Sequence, residues 1–209
     1  QKDLAKTLKL IAKEGSKVFY QGEVGQKIVA YQKAHGGLIT QEDMNNYIVK
    51  EREPVSGTYK GYKIVSMPPP SSGGTHVIQI LNILENANLA AHGPFAPEAI
   101  HYTASAMQQA FADRATYLGD SDFVSVPVKE LTSTAYAKML FANMSKQLAR
   151  PSSEVKAGDV SLPYESDETT HFTVMDAAGN TVSSTQTINY WFGSGIVAEG
   201  TGIVLNDEM

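Results

Sequence analysis

The chain has 209 residues, 42% hydrophobic and 19% charged, which suits one globular domain with a substantial core and does not demand two. With 17 basic against 22 acidic residues the formal net charge is -5, and no Lys/Arg cluster of the kind that binds phosphate backbones is present, which disfavours a nucleic-acid partner. The absence of cysteine removes disulfides, thiolate zinc sites and cysteine nucleophiles, and no apolar run approaches the roughly 20 residues of a membrane span.

Gln1, Lys2 and Asp3 do not open a signal peptide. A helical pattern is already running by residue 4, and the chain stops in "GIVLNDEM", a strand and its turn. A piece of a longer polypeptide is therefore expected. Leu4, Leu8 and Ile11 recur at helical spacing over residues 4–15, with the basic residues from Lys2 to Lys13 on the wet face and Gly15 as the stop. A second helix is predicted over 22–34, with Val24, Ile28 and Tyr31 on one face. Thr40 followed by Asp43 reads as the cap of a short helix through Tyr47. Residues 55–67 read as a hairpin around Lys60-Gly61.

The segment "PPPSSGG" (68–74) follows. Three prolines cannot donate successive backbone hydrogen bonds, so they force an extended connector, and Gly73-Gly74 lead into a helix over 75–84. A glycine-rich start to a helix can cradle an anion, but a rigid strand-to-helix turn is the plainer reading. The longest helix is predicted from Pro97 to Leu118, burying Ile100, Ala104, Met107, Phe111 and Leu118, and another spans 135–148. From Pro151 to Glu168 the composition shifts to Ser, Pro, Gly and acidic residues, an exposed acidic linker. It runs into the alternating strand "TTHFTVMD", the turn "AAGN" and "TVSSTQTINYWF".

A threonine hydroxyl needs an adjacent base to act as a nucleophile. At a chain terminus its own α-amine, with a pKa near ~8, supplies one. An internal Thr169 can create that terminus by attacking the Glu168 carbonyl, giving an ester that water hydrolyses, and the linker would let the freed end move away. On residue types alone, two threonines opening a strand are more often ordinary β-formers.

Residues 165–209, "ESDETTHFTVMDAAGNTVSSTQTINYWFGSGIVAEGTGIVLNDEM", resemble the start of the γ-glutamyltranspeptidase small subunit. "MPPPSSGG" (67–74) and "ADRATYLGD" (112–120) resemble the family's large subunit. The resemblance covers essentially the whole chain. It implies an α+β N-terminal nucleophile hydrolase fold, a four-layer αββα sandwich of which this chain supplies part. Residues 1–168 would end the large subunit and residues 169–209 begin the small one.

By position, the resemblance makes Thr169 the self-cleaving and catalytic threonine and Glu168–Thr169 the scissile bond. Thr187 would help place and activate the nucleophile, Asn189 would contact it and the bound glutamyl group, and Glu208 would hold the substrate α-amino group. The implied reaction is γ-glutamyl transfer from glutathione or a related amide to water, an amino acid or a peptide, without cofactor or metal, in the periplasm or outside the cell. The family's α-carboxylate arginine is expected before residue 1, and its second acidic amine contact, serine pair and oxyanion glycines beyond Met209. Ser71-Ser72 and Gly73-Gly74 are not those pairs, so the 209 residues alone should be inactive. Rival readings are a related acylase of cephalosporin side chains or poly-γ-glutamate, and a non-catalytic binding or scaffold homologue.

Other residues have plainer readings. His171 adjoins the nucleophile but reads as packing, since the α-amine makes a second base unnecessary. His35, His76, His92 and His101 lack ligand-like spacing. Asp113-Arg114 reads as a structural ion pair, Asp120 and Asp122 as a turn, and Trp191 and Phe192 as core.

Overall fold

The computed structural model describes residues 1–158 and 170–207. The described residues form two compact units. One takes Gln1–Lys50 and the residues from Thr170 onward, the other the residues from Glu51 to 158.

The first unit opens with α1 (Lys2–Glu14), which stops at Gly15 with φ 74°, a left-handed value that glycine adopts without strain. A five-residue helix, α2 (Ser16–Tyr20), follows where none is predicted, then α3 (Glu23–Ala34) and α4 (Gln41–Asn46). The α4 cap is a reciprocal box: the Thr40 hydroxyl accepts from Asp43 N, and Asp43 Oδ2 accepts from Thr40 N at 2.8 Å. The Thr40 hydroxyl, which also donates to Asp43 Oδ2 at 2.6 Å, and then the Thr40 amide hold the Asp43 carboxyl below its usual range. Val18, Val24, Ile28 and Met44 form the core, which Ala198 and Leu205 complete from the far end of the chain. The expected α1 face needs correction. Leu8 is exposed, and the buried position belongs to Thr7, whose hydroxyl donates to the Thr201 carbonyl at 2.8 Å.

In the second unit, β1 (Val55–Tyr59) and β2 (Tyr62–Ser66) pair antiparallel around Lys60 (φ 49°) and Gly61 (φ 84°), the two left-handed residues of a tight hairpin turn. Their sheet packs on α5 (Gly73–Leu84), where Gly57 lies so close to Ile78 that a Cβ would come within 2.6 Å of its Cγ2. Around α5 stand α6 (Pro97–Tyr117), the single turn α7 (Val128–Leu131) and α8 (Thr134–Ala142), sharing a core of Ile83, Leu84, Ala106, Ala137, Leu140 and Met144.

The predicted face of α6 is wrong. Ile100, Ala104, Met107 and Phe111 are exposed and Leu118 is half-buried, while Ala99, Ser105, Ala106, Gln109, Ala110 and Asp113 face inward. Small side chains let α6 approach α5 closely, and the polar ones are drawn in because partners await them. The predicted 135–148 helix is also shorter, ending at Ala142, with Asn143 as its cap. Asp120 and Asp122 do form a turn: Asp120 Oδ1 accepts from Asp122 N at 2.9 Å, and Asp122 pairs with Arg52 at 2.8 Å.

The chain returns to the first unit as the hairpin β3 (Thr170–Met175) and β4 (Thr181–Gln186), then the two-residue strands β5 (Val197–Ala198) and β6 (Ile203–Val204). Among the described residues this makes three two-stranded sheets, pieces of an α+β fold. No helix among the described residues is long and apolar enough to cross a membrane.

Candidate functional site

Glu168, Thr169 and Glu208 lie outside the described residues, as does the linker from 159 onward; the geometry around them is described. Thr170 pairs in register with Gln186, so the residue after Thr169 lies opposite the residue before Thr187. The register is closed at its other end by Asp176. Its Oδ1 accepts from Ala178 N and Asn180 N, both at 2.9 Å, its Oδ2 accepts from Asn180 Nδ2 at 2.8 Å, and Gly179 takes φ 85°. These bonds also pull the exposed Asp176 carboxyl below its ordinary range, the Asn180 side chain first.

Past Gln186 the chain leaves the sheet. The Thr187 Oγ1 accepts from Asn189 N at 2.9 Å, and Asn189 takes φ 73°, a left-handed value that Asn tolerates better than most residues. Tyr190 N then donates to Asp207 Oδ1 at 3.2 Å, and Ser194 bonds the Leu205 carbonyl through both its amide (3.0 Å) and its hydroxyl (2.9 Å). The loop bearing Thr187 and Asn189 is thereby stitched to the residue next to Glu208. Trp191 and Phe192, read from sequence as core, are 78% and 74% exposed. With Phe192 at φ 62° the segment is a surface turn rather than a continuation of β4.

His171 sits among hydroxyls on one face of the hairpin. Its Nδ1 lies 2.8 Å from Thr185 Oγ1, and its Nε2 lies 3.2 Å from both Thr173 Oγ1 and Ser183 Oγ. Both ring nitrogens are engaged, which suits an orienting role for that face better than a free base. Strand alternation around "THFT" and "TVSST" carried the signal for this row. Among the described residues no group of His, Asp and Glu could hold a metal.

In the second unit the sequence reading missed a buried polar network. Asp113 is fully buried. Its Oδ2 accepts from the Gln79 amide and from Tyr136 OH at 2.9 Å; its Oδ1 accepts from Gln109 Nε2 at 3.1 Å and Gly158 N at 3.0 Å. Its partners are neutral donors, so the expected ion pair with Arg114 gives way to a hydrogen-bonded hub. Because a carboxylate only accepts, the Gln79 amide nitrogen must face it, and Gln79 Oε1 then accepts from His76 Nδ1 at 2.9 Å. That leaves His76 Nε2 as a bare, buried acceptor without a partner among the described residues.

Burial holds the His76 pKa below 6.5 and, with Asp113 beside it, pushes the Tyr136 phenol well above its usual value. A histidine whose folded pKa is depressed binds its proton more readily when unfolded. Its stability contribution is therefore complete above pH ~6.5 and is lost as pH falls towards the folded pKa. Urea midpoints of the parent protein should decline between pH 7 and 5, and less steeply in His76→Gln.

The whole chain, residues 1–209, matches the family described as Gamma-glutamyltranspeptidase. It is 48% identical to a glutathione hydrolase proenzyme of Escherichia coli K12 over 209 residues, all of this chain and 36% of that protein. The γ-glutamyltranspeptidase structure from Helicobacter pylori superposes with a TM-score of 0.72 at 56% identity, over 76% of this chain and 45% of that one. A cephalosporin acylase from Bacillus halodurans superposes with 0.85 at 30% identity, over 99% of this chain and 36% of that one. The chain thus spans about a third of the length of the curated relatives it matches.

Proposed function

This chain belongs to the γ-glutamyltranspeptidase family, with the N-terminal nucleophile hydrolase fold of its structural neighbours, and on that premise we propose that its parent protein cuts itself at Glu168–Thr169 and then transfers γ-glutamyl groups through Thr169. Residues 1–168 would close the large subunit and residues 169–209 open the small one. The observation that supports this reading most is the hairpin register: Thr170 opposite Gln186, with Thr187 and Asn189 immediately beyond and Asp207 hydrogen-bonded to the same loop.

The chemistry follows from the residue types. In the precursor, Thr169 Oγ attacks the Glu168 carbonyl, the peptide nitrogen leaves as the Thr169 α-amine, and water hydrolyses the resulting ester. The freed amine then takes the hydroxyl proton as Oγ attacks the γ-amide of glutathione, and returns it to the departing amine. The γ-glutamyl ester passes to water or to the amine of an amino acid or peptide. Thr187 would orient the nucleophile, while Asn189 and Glu208 would hold the glutamyl group. An ammonium favours a carboxylate acceptor such as Glu208. The site would work in the periplasm or outside the cell, the setting the family resemblance implies, and would need no cofactor.

Intact-mass measurement of the full-length parent tests the reading: two chains meeting at Glu168–Thr169 are expected, and a single uncut chain that still consumes glutathione would refute it. A second reading, an acylase, draws on the superposition with the cephalosporin acylase. Relative rates on glutathione and on a glutaryl amide separate the two, because only the former offers Glu208 an α-ammonium. The 209-residue piece by itself should turn over γ-glutamyl-p-nitroanilide at no measurable rate, since the family's oxyanion donors, each worth about 10²–10³ in rate, are expected outside it.

A further inference from the structure

We propose that the contact between α1 and the β5–β6 turn is the lock that keeps residues 1–50 joined to the small subunit once Glu168–Thr169 is cut, a role that rests on the reading of that bond as the scissile one. The first unit is built from both sides of the cut: residues 1–50 supply α1 to α4, and the residues from Thr170 onward supply β3 to β6. Its core mixes the two. Val18, Val24, Ile28 and Met44 come from before the cut, Ala198 and Leu205 from after it, with Ile203 packed against them.

This joint has a polar centre. A threonine hydroxyl inside a helix commonly bonds a carbonyl of its own preceding turn. Thr7 Oγ1 instead donates to the Thr201 carbonyl, 194 residues away in sequence, at 2.8 Å, and both residues are buried. The Thr201 hydroxyl is engaged inside its own turn, donating to Ala198 O at 2.6 Å and accepting from Ile203 N at 3.1 Å. The turn is thereby held with the Thr201 carbonyl towards α1, where Thr7 supplies its donor. Beside it, Gly202 takes φ 69° and lies so close to α1 that a Cβ would strike the Leu4 amide and come within 2.8 Å of Leu4 Cα.

Before the cut, the chain itself connects the two sides, so the joint contributes to folding and not to assembly. After it, residues 1–50 and the small subunit belong to different molecules, and contacts of this kind alone resist their separation. Apolar burial supplies attraction without direction. The Thr7–Thr201 bond supplies direction, because a carbonyl left buried without its donor is costly. The same segment backs the candidate site: the Leu205 carbonyl accepts both Ser194 bonds, which anchor the loop of Thr187 and Asn189.

The test uses the full-length parent after self-cleavage and follows separation of its two chains by size-exclusion chromatography across a series of urea and protein concentrations. Thr7→Val keeps the side-chain shape and removes the donor, so the dissociation constant of the two chains should rise about 5- to 150-fold, the loss expected for a buried carbonyl left unsatisfied. Gly202→Ala should move it in the same direction, and Thr7→Ser, which keeps a hydroxyl, should stay near wild type. In the cut Thr7→Val protein the urea midpoint should fall on dilution, whereas in an uncut Thr169→Ala background it should be independent of protein concentration. Wild-type dissociation in Thr7→Val, or in Gly202→Ala if Thr7→Val does not fold, would overturn the lock and leave the proposed chemistry standing. A parent that is never cut at Glu168–Thr169 would remove both.

Discussion

Thr169→Ala in the full-length parent is expected to leave one uncut chain and to lower glutathione turnover by on the order of 10⁶, the loss found when a hydrolase nucleophile is removed. Two losses coincide. Alanine offers no oxygen to attack the Glu168 carbonyl, so no new terminus forms, and with the peptide bond intact no α-amine is present to accept a proton. Thr169→Ser separates the contributions: it keeps a hydroxyl and can still generate the amine, so it should be cut, more slowly, and retain measurable turnover. Intact mass and a glutathione assay on the same preparations provide the check. Cutting in Thr169→Ala at the wild-type rate would place the nucleophile elsewhere.

Thr187→Val isolates the neighbouring hydroxyl, which accepts from Asn189 N at 2.9 Å. Losing that acceptor frees a loop whose shape depends on Asn189 at φ 73°. Its effect should therefore fall on both cleavage and turnover, and be smaller than that of Thr169→Ala.

Local chemistry made part of this fold legible in the sequence. The stop at Gly15, the Thr40–Asp43 box and the Lys60-Gly61 turn each depend on neighbours a few residues apart, so the pattern of residue types suffices. The β3–β4 hairpin was likewise readable, because Thr170 and Gln186 pair across a short turn, whereas Thr187 and Asn189, just beyond it, were picked out by the family resemblance. Long-range choices were not. On α6 the larger apolar residues Ile100, Met107 and Phe111 outrank Ala106 and Ala110 in any hydrophobicity pattern, yet the small ones face inward, since α5 packs closely there. Asp113 reads locally as the neighbour of Arg114, whereas its partners Gln79, Tyr136 and Gly158 lie 34, 23 and 45 residues away. The β3–β4 hairpin makes a related point. Phe172, Val174 and Val182 alternate as for a buried face but remain 44%, 59% and 63% exposed, with no described residue covering them.

The paired glycines after the proline run provide the sharpest stability test. Gly73 and Gly74 look equivalent in sequence, and both could have served an anion cradle or a turn. Their surroundings differ. A Cβ on Gly73 would meet only Ser71 Oγ at 3.5 Å, an ordinary contact, whereas one on Gly74 would strike the Met67 carbonyl and come within 2.6 Å of Val55 Cγ2. Backbone cannot yield as a flexible side chain does, so Gly74→Ala must push the first turn of α5 away from the β1–β2 hairpin. An overpacked buried contact of this kind costs about 1–3 kcal/mol, and the neighbouring buried residues Thr75, Ile78 and Gln79 would move with it. Gly73→Ala, by contrast, should be neutral or slightly stabilising, because alanine is the better helix former by about 1 kcal/mol. The urea midpoint of full-length Gly74→Ala should therefore fall below wild type while that of Gly73→Ala holds or rises slightly. Equal destabilisation by both would instead favour a bound anion that requires the bare backbone of each glycine.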